Sequence, residues 1–146
     1  MYSNSKETAV SRFVASYAAN IAAADDAAVT AQFAEVFMAG GPGGMMTVRA
    51  IDFAKSLPQR RQLFASLGCR SSSLLGAGHR PLTDRFWLVT TRWTMSFEDG
   101  QAGSAEDIAS EAILLVDTGA EPFRIVMFLH SVDVLARRSK ERNQPG

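Results

Sequence analysis

The sequence predicts an α+β fold in which N-terminal helices pack on one face of a curved antiparallel sheet. Two patterns carry that expectation. Apolar residues recur at spacings of three and four through the first part of the chain, and at a spacing of two from residue 69 onward. A third observation sets the scale: 146 residues with 47% hydrophobic side chains support one domain with a full core, expected over residues 1–134.

Each element follows from its local chemistry. Asn4 followed by Glu7 matches a capping box with Asn in place of Ser or Thr. Behind it, Val10, Phe13, Val14, Tyr17, Ala18 and Ile21 form one apolar stripe on a first helix. Asp25 or Asp26 can cap a second helix, whose apolar positions are Val29, Phe33, Val36 and Phe37 and which the run Gly40-Gly41-Pro42-Gly43-Gly44 ends. MMTVRA reads as a short extended piece. A third helical stretch near residues 52–67 is expected to break or restart at Pro58 and to stop at Gly68, which accepts a left-handed backbone without steric cost.

The strands come next. CRSSSLLGAGH reads as the first of four. From Arg85 to Phe97 the odd positions include Trp87, Val89, Thr91, Trp93, Met95 and Phe97, which predicts a long strand with one strongly apolar face. EDGQAGSAED reads as the loop after it, and DTGAEP as the turn between AILLV and FRIVMFL. Residues 135–146 are polar, lack an apolar period and are expected to fray.

ILLV at 113–116 and IVMFL at 125–129 are apolar on both sides, which an antiparallel sheet does not show when one face meets water. Two explanations stand: loops shield these strands, or a second copy of the chain covers the face carrying Phe86 and Leu88 as a homodimer.

Composition narrows the function classes. Fifteen basic and fifteen acidic residues cancel, so no long-range field favours nucleic acid or an anionic membrane surface. No apolar run approaches the roughly 20 residues of a membrane span, and a cytoplasmic location is expected. Cys69 is the only cysteine and reads as a small core residue. His79, in the turn-like GAGHRP, is expected to be exposed, and His130 falls near the end of the last strand. Two histidines so far apart make no metal-ligand spacing, and no cofactor is expected.

The stretch RFVASYAANIAAADDAAVTAQFAEVFMAGGP resembles the first two helices of the nuclear transport factor 2-like superfamily, in particular its ketosteroid isomerase-like and SnoaL-like polyketide cyclase branch. The resemblance implies a cystatin-like roll, in which helices close a bent sheet into a cone around a mainly apolar pocket, in a dimer. Carried over without gaps, it places the general-base carboxylate of the isomerase-like pattern on Gly41, where no acid exists. It places on Tyr17 a phenol that donates a hydrogen bond to a developing oxyanion.

Tyr17 therefore reads either as that donor or as a core aromatic of the first helix. The glycines after residue 39 lack the Gly-Lys-Ser/Thr of a phosphate-binding loop and read as a flexible rim of the pocket. Phe13, Tyr17, Phe33, Phe37, Trp87, Trp93 and Met127 are the expected lining for an apolar ligand, and they equally suit an ordinary core. Asp133 and Glu111 are the candidate replacement acids; each also reads as a solvated strand residue. Two functions remain open at this level: a dimer that binds a small apolar molecule, and an isomerase, cyclase or dehydratase that uses Tyr17 with a relocated acid.

Overall fold

The computed structural model describes residues 4–98 and 105–131. Its elements run α1 (Asn4–Ala22), α2 (Asp26–Ala31), β1 (Phe33–Gly41), β2 (Gly44–Arg49), α3 (Ala50–Ser66), β3 (Cys69–Pro81), β4 (Phe86–Glu98), β5 (Ala105–Asp117) and β6 (Arg124–His130). Asp133 and the expected polar tail lie outside the described residues. The strands form one curved sheet in the order β2-β1-β6-β5-β4-β3. All neighbours are antiparallel except β1 and β6, so the sheet is mixed rather than purely antiparallel.

Asp25 caps α2 by accepting a hydrogen bond from the Ala28 amide at 3.1 Å. That helix is much shorter than the sequence suggests. Phe33–Gly41, expected as its continuation, is the strand β1. The ambiguity is geometric, because a separation of four residues puts Phe33 and Phe37 on one face of a helix and equally on one face of a strand. Strand pairing decides it. The Ile125 amide donates to the Gln32 carbonyl at 2.8 Å, and from there β1 runs parallel to β6. The glycine-rich run then has a definite shape. Gly41 pairs with Gly44, leaving Pro42 and Gly43 as the two-residue tip of a hairpin, and Gly44 takes φ +121°, a conformation that side chains rarely adopt.

Pro58 does not break the third helix, which runs unbroken through it. The helix ends where expected, at Leu67, followed by Gly68 with φ +93°. In β4 the predicted phase is observed: Trp87, Val89, Thr91, Trp93 and Phe97 are buried. β5 begins at Ala105, so part of the expected loop EDGQAGSAED belongs to a strand that opposes the whole length of β4. His79 lies within β3 and is only partly accessible, not exposed on a turn.

The core occupies the face of the sheet that the helices cover. Val10, Val14 and Tyr17 of α1, Val29 of α2 and Phe33 and Phe37 of β1 pack with Trp87, Val89, Trp93, Leu114 and Ile125. A second, smaller cluster of Phe64, Phe97 and Ile108 closes the far end, with Cys69 packed against it. Burial pushes the Cys69 thiol up, away from the thiolate form a nucleophile needs. Among the described residues no helix is long and apolar enough to cross a membrane.

Candidate ligand-binding site

The helix-covered face converges on a group of aromatic rings. Phe33 stands at its centre, with ring centroids 4.5 Å from Phe37, 4.8 Å from Phe53, 6.1 Å from Tyr17 and 6.5 Å from Phe128. Tyr17 also meets Trp93 edge to face at 6.2 Å. Such tilted and perpendicular contacts match the quadrupoles of the rings and hold them in defined places. Phe13 joins one turn earlier on α1, 6.1 Å from Phe123, and Trp87 is buried in the same cluster.

Two polar side chains lie inside this apolar group. The Thr91 hydroxyl, fully buried, accepts from Trp93 Nε1 at 2.7 Å and donates to the Ala112 carbonyl at 2.8 Å. Its hydrogen and one of its lone pairs are thus used. Tyr17, 5% exposed, makes no hydrogen bond through its hydroxyl to any of the described residues. Burial raises the affinity of its phenol for the proton well above the ordinary value, with the positive charge of Arg60 opposing that shift. The hydroxyl thus stays protonated.

Of the expected lining, Phe13, Tyr17, Phe33, Phe37, Trp87 and Trp93 come together, while Met127 does not. Its place on the other face has a specific cause. Val116 pairs with Ile125 but Leu115 pairs with Met127, so Val126 is passed over and the alternation along β6 changes phase. Phe128 and His130 then oppose Leu114 and Ala112 on the inner face, whereas Met127 opposes Leu115 and Met38 on the outer. Glu111 also points away from the aromatic group. It is exposed, between Ser110 and buried Ala112, opposite Arg92 on the outer face. It cannot deliver an acid to the interior.

Phe53, Phe128 and His130 were missed by the sequence reading. For Phe128 and His130 the bulge hides the signal, since two-residue alternation gives two faces without saying which is concave. His130 packs against Phe128 at 6.0 Å and lies over Gly41. The other histidine, His79, stacks on Trp87 at 5.8 Å with Nε2 3.6 Å from Glu7 Oε1 of α1. No three His, Cys, Asp or Glu side chains gather as a metal site among the described residues.

Among the described residues no helix lies on the outer face. Leu88, Leu115, Met127 and Met38 form one row across four strands, and Thr90, Ile113 and Leu129 form the next. A shallow depression of about 210 Å³ lies at the β3–β4 end of this surface, lined by Gly78, His79, Arg80, Leu88 and Thr90.

No protein-family model matches the chain, and no curated protein matches it by sequence. Solved structures do match its fold. An NTF-2 like protein of unknown function from Shewanella oneidensis superposes with a TM-score of 0.69 at 14% identity, covering 87% of this chain and 99% of that one. A ketosteroid isomerase-like protein from Erwinia carotovora gives 0.63 at 12% identity, covering 88% and 97%. The association domain of CaMKII from C. elegans gives 0.65 at 14% identity, covering 88% and 96%. At such identities the likeness is one of fold: the chain has the nuclear transport factor 2-like, cystatin-like fold expected from the resemblance of its N-terminal residues.

Proposed function

We propose that this chain, with its nuclear transport factor 2-like fold, binds a small and largely apolar molecule among the aromatic rings inside the cone. The observation that carries the reading is the Tyr17 hydroxyl: a protonated donor, surrounded by Phe33 and Trp93, with no partner among the described residues. A ligand carbonyl or hydroxyl that accepts from it would add one hydrogen bond, worth about 0.5–1.5 kcal/mol net. The complementary ligand is thus an aromatic or alicyclic ketone or phenol, its apolar body against the rings and one oxygen toward Tyr17.

A homodimer through the outer sheet face belongs to the same proposal. The rows Leu88–Leu115–Met127–Met38 and Thr90–Ile113–Leu129 are mostly apolar and no helix of the described residues covers them; a second copy related by a two-fold axis would remove them from water.

The experiment is a titration with 2-tetralone, followed by tryptophan fluorescence. Saturable quenching is expected, lost in Trp93→Phe and weakened about threefold to tenfold in Tyr17→Phe, the effect of one net hydrogen bond. Absence of saturable quenching by ketones or phenols of this size would overturn the proposal.

The catalytic alternative requires a proton acceptor inside the cone. Glu111 faces the wrong way for it, and Asp133 lies outside the described residues.

A further inference from the structure

β1 and β3 carry glycines at positions 40, 41, 76 and 78. A glycine within a strand weakens it, through backbone entropy and the lack of a side chain to pack, so each of these positions needs a physical reason. For three of them the reason is a close neighbour. An added Cβ would lie 2.8 Å from Met45 Sδ at Gly40, 2.5 Å from His130 Cε1 at Gly41 and 2.8 Å from Arg92 Nη2 at Gly76. Gly78 differs. A Cβ there meets nothing within 4 Å, and its φ lies outside the left-handed range, so neither packing nor backbone conformation requires glycine.

The space above Gly78 is the depression of about 210 Å³ at the β3 end of the outer face, lined by Gly78, His79, Arg80, Leu88 and Thr90. Strand register fixes its outline. Gly76 is opposite Arg92, Gly78 opposite Thr90 and Arg80 opposite Leu88, so these three pairs share the outer face, while the ring of His79 turns to buried Trp87 on the inner one. Arg80 lines the notch itself. On its other side the Arg92 guanidinium lies over Gly76, one pleat or about 7 Å along β3 from Gly78. Glu111 stands opposite Arg92 on β5, yet the guanidinium leans the other way, over β3. Among the described residues neither Arg80 nor Arg92 has a carboxylate within 4 Å. A glycine-floored notch thus lies between two arginines, with the Thr90 hydroxyl and the Leu88 side chain beside it.

We propose that this notch binds a small carboxylate with a flat apolar body, of the aromatic-acid class. Its carboxylate faces Arg80 and Arg92, whose planar guanidinium groups match a carboxylate through paired N–H donors. Its ring lies on the Gly78 backbone against Leu88, an approach that any side chain at position 78 would block. The volume is below the roughly 300 Å³ at which drug-sized sites begin, and suits a single ring. The notch and the aromatic group inside the cone are on opposite faces of the sheet, so the two sites are independent. Leu88 and Thr90 end the rows assigned to the homodimer, which puts the ligand at the rim of that contact.

The test is an NMR titration of the ¹⁵N-labelled chain with sodium benzoate. Saturable shifts are expected at the Gly78 and Thr90 amides, unchanged when 2-tetralone is present. Benzamide, which lacks the charge, and acetate, which lacks the ring, should each bind at least about tenfold more weakly, and Arg80→Gln should weaken benzoate by about as much. Gly78→Val places a side chain in the notch without displacing a neighbour. It should abolish the shift at Thr90 while leaving the chain at least as stable in urea. Absence of saturable shifts at these amides, equal binding of benzamide or acetate, or undiminished binding by Gly78→Val or Arg80→Gln overturns the inference. A Gly78→Val chain that unfolds more readily than wild type would show that the fold itself needs this glycine, and overturns it as well.

Discussion

The indole of Trp93 donates to Thr91 Oγ1 at 2.7 Å, two residues earlier on the same face of β4, and the same hydroxyl passes its own hydrogen to the Ala112 carbonyl on β5. A fully buried polar atom is thereby satisfied twice, and the indole is fixed against Tyr17. Threonine at position 91 is thus the structural reason that Trp93 has one orientation.

Thr91→Val keeps the shape and removes the relay. It leaves the Trp93 N–H without its acceptor in an apolar surrounding, which should cost roughly 1–3 kcal/mol in a denaturant titration. The tryptophan emission should shift at the same time. A variant as stable as wild type, with unchanged emission, would show that the indole has another partner.

Gly41→Ala tests the contact between β1 and β6. The methyl group would press on three atoms of the His130 ring, so the imidazole must swing away, at roughly 1–2 kcal/mol for overpacking at a partly exposed edge. The His130 ring resonances should move in an NMR spectrum while those of His79 stay. Gly43→Ala is the control, since a Cβ there meets nothing within 4 Å.

Leu115→Glu addresses assembly. Leu115 lies in the middle of the outer face, between Leu88 and Met127, so a carboxylate there would be buried in the proposed dimer and solvated in the monomer. Light scattering should give about twice the monomer mass for wild type and the monomer mass for the variant. A wild-type monomer at high protein concentration would dismiss the dimer and leave the apolar rows without a cover.

Asp117 gives a prediction in pH. Its carboxylate accepts from Arg85 Nε at 2.7 Å, from Arg85 Nη2 at 2.9 Å and from the Gly119 amide at 2.9 Å. These bonds, the arginine pair first, hold its carboxyl below the ordinary value. A depressed pKa means that the folded state gives up this proton more readily than the unfolded chain. The stabilisation is thus fully present above the unfolded value of about 4 and is lost as pH falls through the folded one. Asp117→Asn should cost roughly 1–2 kcal/mol at neutral pH, and the gap to wild type should close on acidification below about pH 4.

Much of this architecture is legible in single residues. The stripe from Val10 to Ile21 can bury itself only as a helix, because its spacing matches 3.6 residues per turn. The alternation from Trp87 to Phe97 can bury one face only as a strand. Gly68 marks a helix end for a local steric reason, and Asp25 marks a helix start through a bond that it makes with its own neighbours. These signals are local, and local chemistry suffices to read them. Phe33–Gly41 is different: its spacing of four suits helix and strand alike, and the parallel partner that decides the matter, β6, lies about ninety residues away in the chain. The inner face of β6 was likewise undetermined, because the bulge at Val126 exists only through pairing with β5. That one passed-over residue turns Met127 outward and brings Phe128 and His130 inward. The absence of an acid at Gly41 is visible in the sequence; that an imidazole fills the space is a property of two strands brought together, which no local pattern encodes.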